Sequence, residues 1–205
     1  MENRLLSHQE ISLRLAEAII DPPHLKYADF SLTHRFYNEP PRVAAVLIPL
    51  LIRDNAWHIL YTRRNANLPE HSDQVAFPGG RSDPEDTNLE MTALREAQEE
   101  IGLEPKDVQI LGRLHDFLTI TNYQVTPIAG VIPWPYNFQL AIHEVTRVFT
   151  IPLKWLADPQ NFSEVWRTLP APYDPVPVIY YKEYEGETLW GASARITLEF
   201  IKLLT

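Results

Sequence analysis

The stretch Arg95-Glu96-Ala97-Gln98-Glu99-Glu100-Ile101-Gly102 concentrates three glutamates in two turns of a predicted helix. At about 100° of rotation per residue, the glutamates share one side, whereas Leu94, Ala97 and Ile101 lie roughly opposite. This apolar stripe can pack against a core while the acids face outward together. A solvated acidic surface is the ordinary explanation of such a run of charges.

The ends of this helix are marked in the sequence. Thr87 followed by Glu90 fits a capping box at its start, and Gly102 stands where a helix end favours a left-handed residue. The preceding segment Phe77-Pro78-Gly79-Gly80 is a breaker cluster. Its glycines can bring the backbone close to the helix.

The positions of the charges on the helix argue against a merely solvated acidic surface. Glu96 and Glu100 are a like-charged pair four residues apart, which destabilises an isolated helix by about a few tenths of a kcal/mol. They also lie near the helix C-terminus, where the macrodipole disfavours negative charge. Arg95 can pair with Glu99. A hard divalent cation such as Mg²⁺ or Mn²⁺ prefers carboxylate oxygen and would relieve this conflict, so the pattern leaves a metal site and an exposed acidic face both open.

The remainder of the chain predicts strands and helices in mixed order. We expect an amphipathic helix near Ser7–Ile20 and a final helix near Ala192–Leu204. Strands are predicted at Val43–Ile52, Trp57–Thr62, Val108–Leu114, Gln124–Ile132, Thr146–Ile151, Val178–Tyr184 and Thr188–Trp190, with an irregular region from Asp158 to Tyr173. The first two strands suggest a hairpin. The order predicts an α/β (α+β) fold in which helices cover a mixed sheet, with residues 1–35 as an N-terminal helical arm and 36–205 as the main domain.

Composition limits the chemistry that the chain can carry. Its 205 residues are 45% hydrophobic, which suits one domain with a sizeable core. The absence of cysteine excludes thiolate metal sites and a cysteine nucleophile. A formal net charge of −9 argues against sequence-independent binding of nucleic acid or of an anionic membrane. We expect a cytoplasmic protein, and the sequence leaves a homodimer open.

Arg95 to Leu103 resembles the signature of the Nudix hydrolases, in which a glycine, five residues, a glutamate and seven residues precede Arg-Glu-apolar-x-Glu-Glu-x-Gly-apolar. The match over this block is complete. The first half departs from the pattern, because the early acid counted from Gly80 falls at Asp86 and lies one residue too far from Arg95. The family implies an α/β/α sandwich with a mixed sheet, and attack of water on a diphosphate phosphorus. Either Glu85 or Asp86 could hold the position of the early acid.

A second set of motifs is similar to the coenzyme A pyrophosphatase branch of that family. It comprises Leu60-Tyr61-Thr62-Arg63-Arg64, Leu68, His71, Gln74, Phe77-Pro78-Gly79-Gly80, Tyr123-Gln124-Val125-Thr126-Pro127, Glu144-Val145 and Trp190-Gly191-Ala192. Pro69 stands where the branch usually has arginine, and Asp73 where it has glycine.

The resemblance implies roles for individual residues. Glu96 and Glu100 are expected to bind Mg²⁺ or Mn²⁺, Glu99 to be a third ligand or the general base, and Arg95 to orient the glutamates. Glu144 is the second candidate base, with an exposed loop acid as the alternative. Substrate contacts are expected at Arg63, Arg64, His71, Gly79 and Gly80. For the arginines the alternative is a surface ion pair, and for His71 a solvated loop histidine.

The expected activity is therefore metal-dependent cleavage of a small nucleotide substrate. Coenzyme A, cut to adenosine 3′,5′-bisphosphate and 4′-phosphopantetheine, is the leading expectation. The alternatives are ADP-ribose, a dinucleotide or a noncanonical nucleoside triphosphate, and a Nudix-fold module that binds a nucleotide without hydrolysing it. Neither nucleic acid nor membrane is an expected partner.

Overall fold

The computed structural model describes residues 5–20, 39–68, 72–168 and 175–204. Four α-helices lie in these ranges: α1 (His8–Ile20), α2 (Leu89–Ile101), α3 (Leu153–Ala157) and α4 (Gly191–Leu204). The strands are β1 (Arg42–Arg53), β2 (Ala56–Arg64), β3 (Val75–Ala76), β4 (Gly79–Arg81), β5 (Gln109–Arg113), β6 (Phe117–Leu118), β7 (Tyr123–Val131), β8 (Val145–Pro152), β9 (Phe162–Arg167) and β10 (Val176–Tyr181). In this part of the chain, no helix combines the length and the apolar character needed to cross a bilayer.

Strand β1 is the centre of a mixed sheet. It pairs antiparallel with β2 and β4 and parallel with β7, which in turn pairs antiparallel with β5 and β6. Strands β3 and β8 both pair with β2. The predicted hairpin is confirmed, because Leu50 lies opposite Ile59 and Arg53 opposite Ala56. Strands β9 and β10 form a separate two-stranded ribbon.

Alternation along β1 separates two apolar layers, because successive strand residues point to opposite faces of a sheet. Ala45 and Leu47 belong to a cluster that includes Ala97 and Ile101 of α2. Ala44 and Ile48 belong to the other cluster, which contains buried residues of α1, among them Ile11 and Leu15, and of α4, such as Phe200. The predicted mixed sheet with helices on both faces is confirmed, and α1 packs on the core of its own chain.

Three local predictions were wrong. The cap of α2 is Asn88, whose side-chain oxygen accepts a hydrogen bond of 2.8 Å from the Met91 amide, so Thr87 and Glu90 form no capping box; asparagine is at least as good a cap as threonine. The region predicted as irregular contains β9, since β10 supplies its hydrogen-bonding partner. Segment Thr188–Trp190 contributes a single bridge between Tyr180 and Trp190 rather than a strand.

The predicted end of α2 is confirmed. Gly102 has φ of 68°, and its amide donates to the Gln98 carbonyl at 2.9 Å while the Leu103 amide donates to that of Ala97. This left-handed residue lets the chain leave the helix at once. The glutamates of its last turns are therefore held at a defined place above the sheet.

Candidate functional site

The backbone of β4 lies directly under the acidic turns of α2. The Gly79 amide donates to Glu100 Oε2 at 3.3 Å. A Cβ atom added to Gly80 would lie 2.5 Å from Glu96 Oε2, closer than real contacts allow. Strand and helix therefore approach closely at this glycine, as the breaker cluster suggested, and a larger residue at position 80 would displace the Glu96 carboxylate.

The three glutamates of α2 differ in exposure. The Glu99 side chain is 56% exposed and that of Glu96 is 17% exposed, but that of Glu100 is only 3% exposed. The expectation that all three acids face outward together is therefore wrong for Glu100. Its row of the helix faces the sheet, because close approach to the glycines of β4 buries that side of the helix.

Burial changes the acidity of the two inner glutamates. Desolvation raises the pKa of Glu100 to about 8, with the Arg64 charge opposing the shift and the Glu96 charge adding to it. Desolvation also raises the pKa of Glu96, against the hydrogen bond and charge of Arg95. The folded protein thus holds two carboxylates where their charged forms are poorly solvated, a condition that a nearby cation would relieve.

Arg95 organises the acids through five hydrogen bonds. Its Nε and Nη2 contact the two oxygens of Asp86 at 3.1 and 3.0 Å, and Nη1 contacts Glu96 at 2.8 Å and Glu99 at 3.1 Å. Nη2 also donates to the Arg81 carbonyl at 3.0 Å. The orienting role that the family resemblance implied for Arg95 stays a prediction, for which these hydrogen bonds supply a structural basis.

The structure distinguishes the two candidates for the early acid. The Asp86 side chain is 1% exposed and forms a forked ion pair with Arg95. The hydrogen bond from Arg95 is the largest cause that lowers the pKa of Asp86 to about 2, even though burial opposes it. Glu85 is exposed. Asp86 is therefore the acid that holds Arg95, and the longer loop before α2 accommodates it.

Glu144 lies on a turn that is tied to the site from two sides. The Asn65 amide, just after β2, donates to the Glu144 carbonyl at 2.7 Å, and the Ala141 amide donates to the Glu100 carbonyl at 2.9 Å. The Glu144 charge is among the causes that raise the pKa of both Glu96 and Glu100. The structure thus brings Glu144 within electrostatic range of the inner glutamates.

The two arginines at the end of β2 point to different partners. Arg64 Nη1 lies 3.5 Å from Glu100 Oε1, and Arg64 Nε is buried without a hydrogen-bond partner among the described residues. Arg63 contacts Asp73 at 2.7 Å and Glu187 at 2.9 Å. Arg64 therefore faces the acids, whereas Arg63 forms ion pairs, one of them with the loop acid Asp73. His71 lies outside the described residues.

Sequence analysis missed the partner that anchors Arg63. The Glu187 carboxylate is buried and accepts from Arg63 through one oxygen and, at 3.0 Å, from Arg147 through the other. Asp73 adopts φ of 58°, a left-handed value that suits the glycine usual at this position of the branch. No local pattern could have paired Arg63 with Glu187, because 124 residues separate them.

The donor set suits a hard divalent cation, because it consists of carboxylate oxygens. No three histidine, aspartate or glutamate side chains in the described part of the chain stand in a preformed metal-binding group. Arg95 Nη1 instead bridges Glu96 and Glu99. Metal binding by Glu96, Glu99 and Glu100 stays a prediction, which the raised pKa values of Glu96 and Glu100 favour on electrostatic grounds.

The raised pKa of Glu100 predicts a pH dependence of stability without metal. The unfolded chain ionises Glu100 near its ordinary value of 4.5, whereas the folded protein does so at about 8. The contribution of Glu100 to stability is therefore full below pH 4.5 and is lost as the pH rises toward 8. We expect Glu100→Gln to remove this loss, which amounts to up to a few kcal/mol at about 1.4 kcal/mol per pKa unit.

Urea unfolding in EDTA between pH 5 and pH 8 measures this effect. Glu90→Gln is the control, because Glu90 is an exposed residue in the first turn of the same helix. Equal slopes of the unfolding free energy against pH for wild type and Glu100→Gln would contradict the prediction.

Known proteins resemble this chain in sequence and in fold. Residues 40–174 match the family model of the NUDIX domain. The chain is 37% identical over 174 residues to proteins named "Uncharacterized Nudix hydrolase NudL" from Yersinia pestis (strain Pestoides F) and Yersinia pseudotuberculosis serotype O:1b (strain IP 31758), covering 84% of this chain and 85% of each relative. A crystal structure of a MutT/nudix family protein from Enterococcus faecalis is similar in fold, with a TM-score of 0.51 at 15% identity over 96% of this chain and 73% of that one.

Proposed function

The chain belongs to the Nudix hydrolase family, and from this premise we propose that it cleaves the diphosphate of coenzyme A or its derivatives. Nudix hydrolases act on nucleoside-diphosphate-linked small molecules and generally use divalent metal ions. The proposed products are adenosine 3′,5′-bisphosphate and 4′-phosphopantetheine. In this reaction water attacks one phosphorus, and the bond from that phosphorus to the bridging oxygen breaks.

The observation that carries the proposal of hydrolysis is the set of hydrogen bonds from Arg95 to the acidic side chains. A single guanidinium, held by buried Asp86, fixes Glu96 and Glu99 beside the glycine backbone of β4. A module that only binds nucleotides has little need for this crowding of acids. Glu96, Glu99 and Glu100 would hold Mg²⁺ or Mn²⁺, which would neutralise charge that develops on the phosphoryl oxygens.

The general base and the phosphate-binding arginine are assigned from exposure and position. Glu99 is the most exposed of the three glutamates, and Glu144 lies on the turn beside them, so one of these two accepts the proton of the attacking water. Arg64, whose Nη1 lies 3.5 Å from Glu100, is the better placed of the two arginines to meet a phosphate. Arg63 is already held by Glu187 and Asp73.

Coenzyme A is favoured because the similarity to the coenzyme A branch extends beyond the acidic helix. The test is a substrate panel of coenzyme A, ADP-ribose, a dinucleoside polyphosphate and noncanonical nucleoside triphosphates, each with Mg²⁺ or Mn²⁺. We expect coenzyme A to be turned over with the highest kcat/KM, and chromatography to show both products in equal amounts. Faster turnover of another compound, with little from coenzyme A, would replace the proposed substrate.

A further inference from the structure

Asn65 joins the end of β2 to the turn of residues 141–144, which carries Glu144. The Asn65 amide donates to the Glu144 carbonyl at 2.7 Å, and the side-chain Nδ2 donates to the Ile142 carbonyl at 2.7 Å. The Asn65 Oδ1 accepts from the Asn67 amide at 2.8 Å. Asn65 therefore uses both groups of its side-chain amide, with the donor directed to the turn and the acceptor to its own loop.

A β-bulge at the start of β8 directs this turn to the face of the sheet on which α2 lies. Arg63 pairs with Arg147, but the next residue of β2 pairs with Val145. Thr146 is therefore an extra residue in β8, and its hydroxyl donates to the Arg63 carbonyl at 3.3 Å. An extra residue reverses the alternation of side chains along a strand. Val145 consequently belongs to the apolar cluster that contains Ala97 of α2.

The turn also contacts the end of α2. The Ala141 amide donates to the Glu100 carbonyl at 2.9 Å, and the amides of Glu144 and Val145 both donate to the Ala141 carbonyl, at 2.7 and 2.9 Å. The Glu144 side chain is 39% exposed, so water can reach its carboxylate. Its charge is also among the causes that raise the pKa of Glu100. Glu144 thus lies beside the inner glutamates and remains open to water.

Hydrogen bonds hold this turn more than packing does. Ile142 is 72% exposed and the His143 side chain is 78% exposed, so the middle of the turn buries little apolar surface that could fix its backbone. The bond from Asn65 Nδ2 to the Ile142 carbonyl ties this exposed part to β2. Loss of that donor would let the turn, and the Glu144 carboxylate that it carries, move relative to α2.

We propose that Asn65 is a positioning residue that holds Glu144, one of the two candidate bases, in place beside the inner glutamates. The inference rests on the proposed function, because a base is needed only where water attacks the substrate. A shift of a catalytic group by about 1 Å can lower a rate by about 10², so a single bond to the turn affects the rate. Asparagine suits the position, because aspartate would keep the acceptor toward Asn67 but would place a second acceptor against the Ile142 carbonyl.

The first experiment measures the turn without turnover. Hydrogen exchange followed by NMR compares the amides of Glu144 and Val145 in wild type, Asn65→Ala and Asn65→Asp. We expect both variants to raise these exchange rates about fivefold, the effect of losing one hydrogen bond, and to leave that of the Gly102 amide unchanged. Asn67→Ala is the matched control, because Asn67 is exposed and its backbone amide is kept. Unchanged exchange at Glu144 and Val145 in both Asn65 variants would overturn the proposal.

The second experiment determines whether Asn65 acts through Glu144. Steady-state assays use the panel compound with the highest kcat/KM and compare Asn65→Ala, Glu144→Gln and the double variant. We expect Asn65→Ala to lower kcat by about 10- to 100-fold with KM within about twofold, since disorder of the whole end of β2 would also move Arg64 and raise KM. In the double variant kcat should equal that of Glu144→Gln, because the two changes remove the same contribution.

Independent losses of kcat that multiply in the double variant would overturn the positioning role. A wild-type kcat of Glu144→Gln would overturn it as well, and would leave Glu99 as the base and the proposed hydrolysis intact. If wild type hydrolyses no compound of the panel, the proposed function is wrong, and the exchange rates alone decide whether Asn65 holds the turn.

Discussion

Replacing Glu99 by glutamine should lower kcat by about 10² to 10⁴, the range for loss of a general base, while the protein stays folded. The same change at Glu100 should lower activity at least as much, because Glu100 is the buried member of the proposed metal ligands. Glu99 is more than half exposed and its ion pair with Arg95 is one of several that Arg95 makes, so its loss should cost less than about 1 kcal/mol of stability.

Steady-state assays with purified variants measure this effect, and circular dichroism confirms that each variant is folded. Glu90→Gln again serves as the matched control, since it removes a glutamate from the same helix away from the site. Activity of Glu99→Gln and Glu100→Gln equal to that of wild type would place the reaction elsewhere. Absence of hydrolysis in wild type as well as in both variants would instead favour a nucleotide-binding module that does not hydrolyse its ligand.

Replacing Arg95 by methionine should destabilise the protein by about 3 to 5 kcal/mol and abolish activity. The change leaves the Asp86 carboxylate, only 1% exposed, without its forked partner, and breaking a buried ion pair from one side is costly because the other charge stays buried. It also releases Glu96 and Glu99 from their common donor. Urea unfolding at pH 7 and the coenzyme A assay measure the two effects.

A double variant separates the two roles of Arg95. Arg95→Met with Asp86→Asn removes both charges, so it should recover part of the lost stability without recovering activity. Arg95→Lys keeps the charge but loses the fork, and it should fall between wild type and Arg95→Met in both measurements. If Arg95→Met has the same unfolding midpoint as wild type, the ion pair with Asp86 contributes nothing to the stability of the folded protein.

Local patterns predicted the elements that depend on near neighbours. The helix that ends at Gly102 and the hairpin of β1 and β2 are confirmed, because helical spacing, a left-handed cap and strand alternation are written in consecutive residues. The same patterns predicted the mixed sheet, and the acidic helix indicated the family. The cap at Asn88 and strand β9 were not predicted. Thr87 and Asn88 are adjacent and both are favourable cap residues, so the pattern does not choose between them. Strand β9 forms because β10, from a later part of the chain, supplies its hydrogen-bonding partner.

The sequence by itself therefore determined the acidic helix and its close glycine neighbours, since both follow from residue type and short spacing, and the resemblance of this helix to the Nudix signature indicated the reaction class. Only the tertiary structure decided that Asp86 holds Arg95, that Glu100 is buried and that Arg63 pairs with Glu187. These features depend on which surfaces meet when helix and sheet pack. Burial and ion pairing arise from contacts between residues that are distant in sequence. The strength of the interactions between charges depends on how far packing excludes water from them.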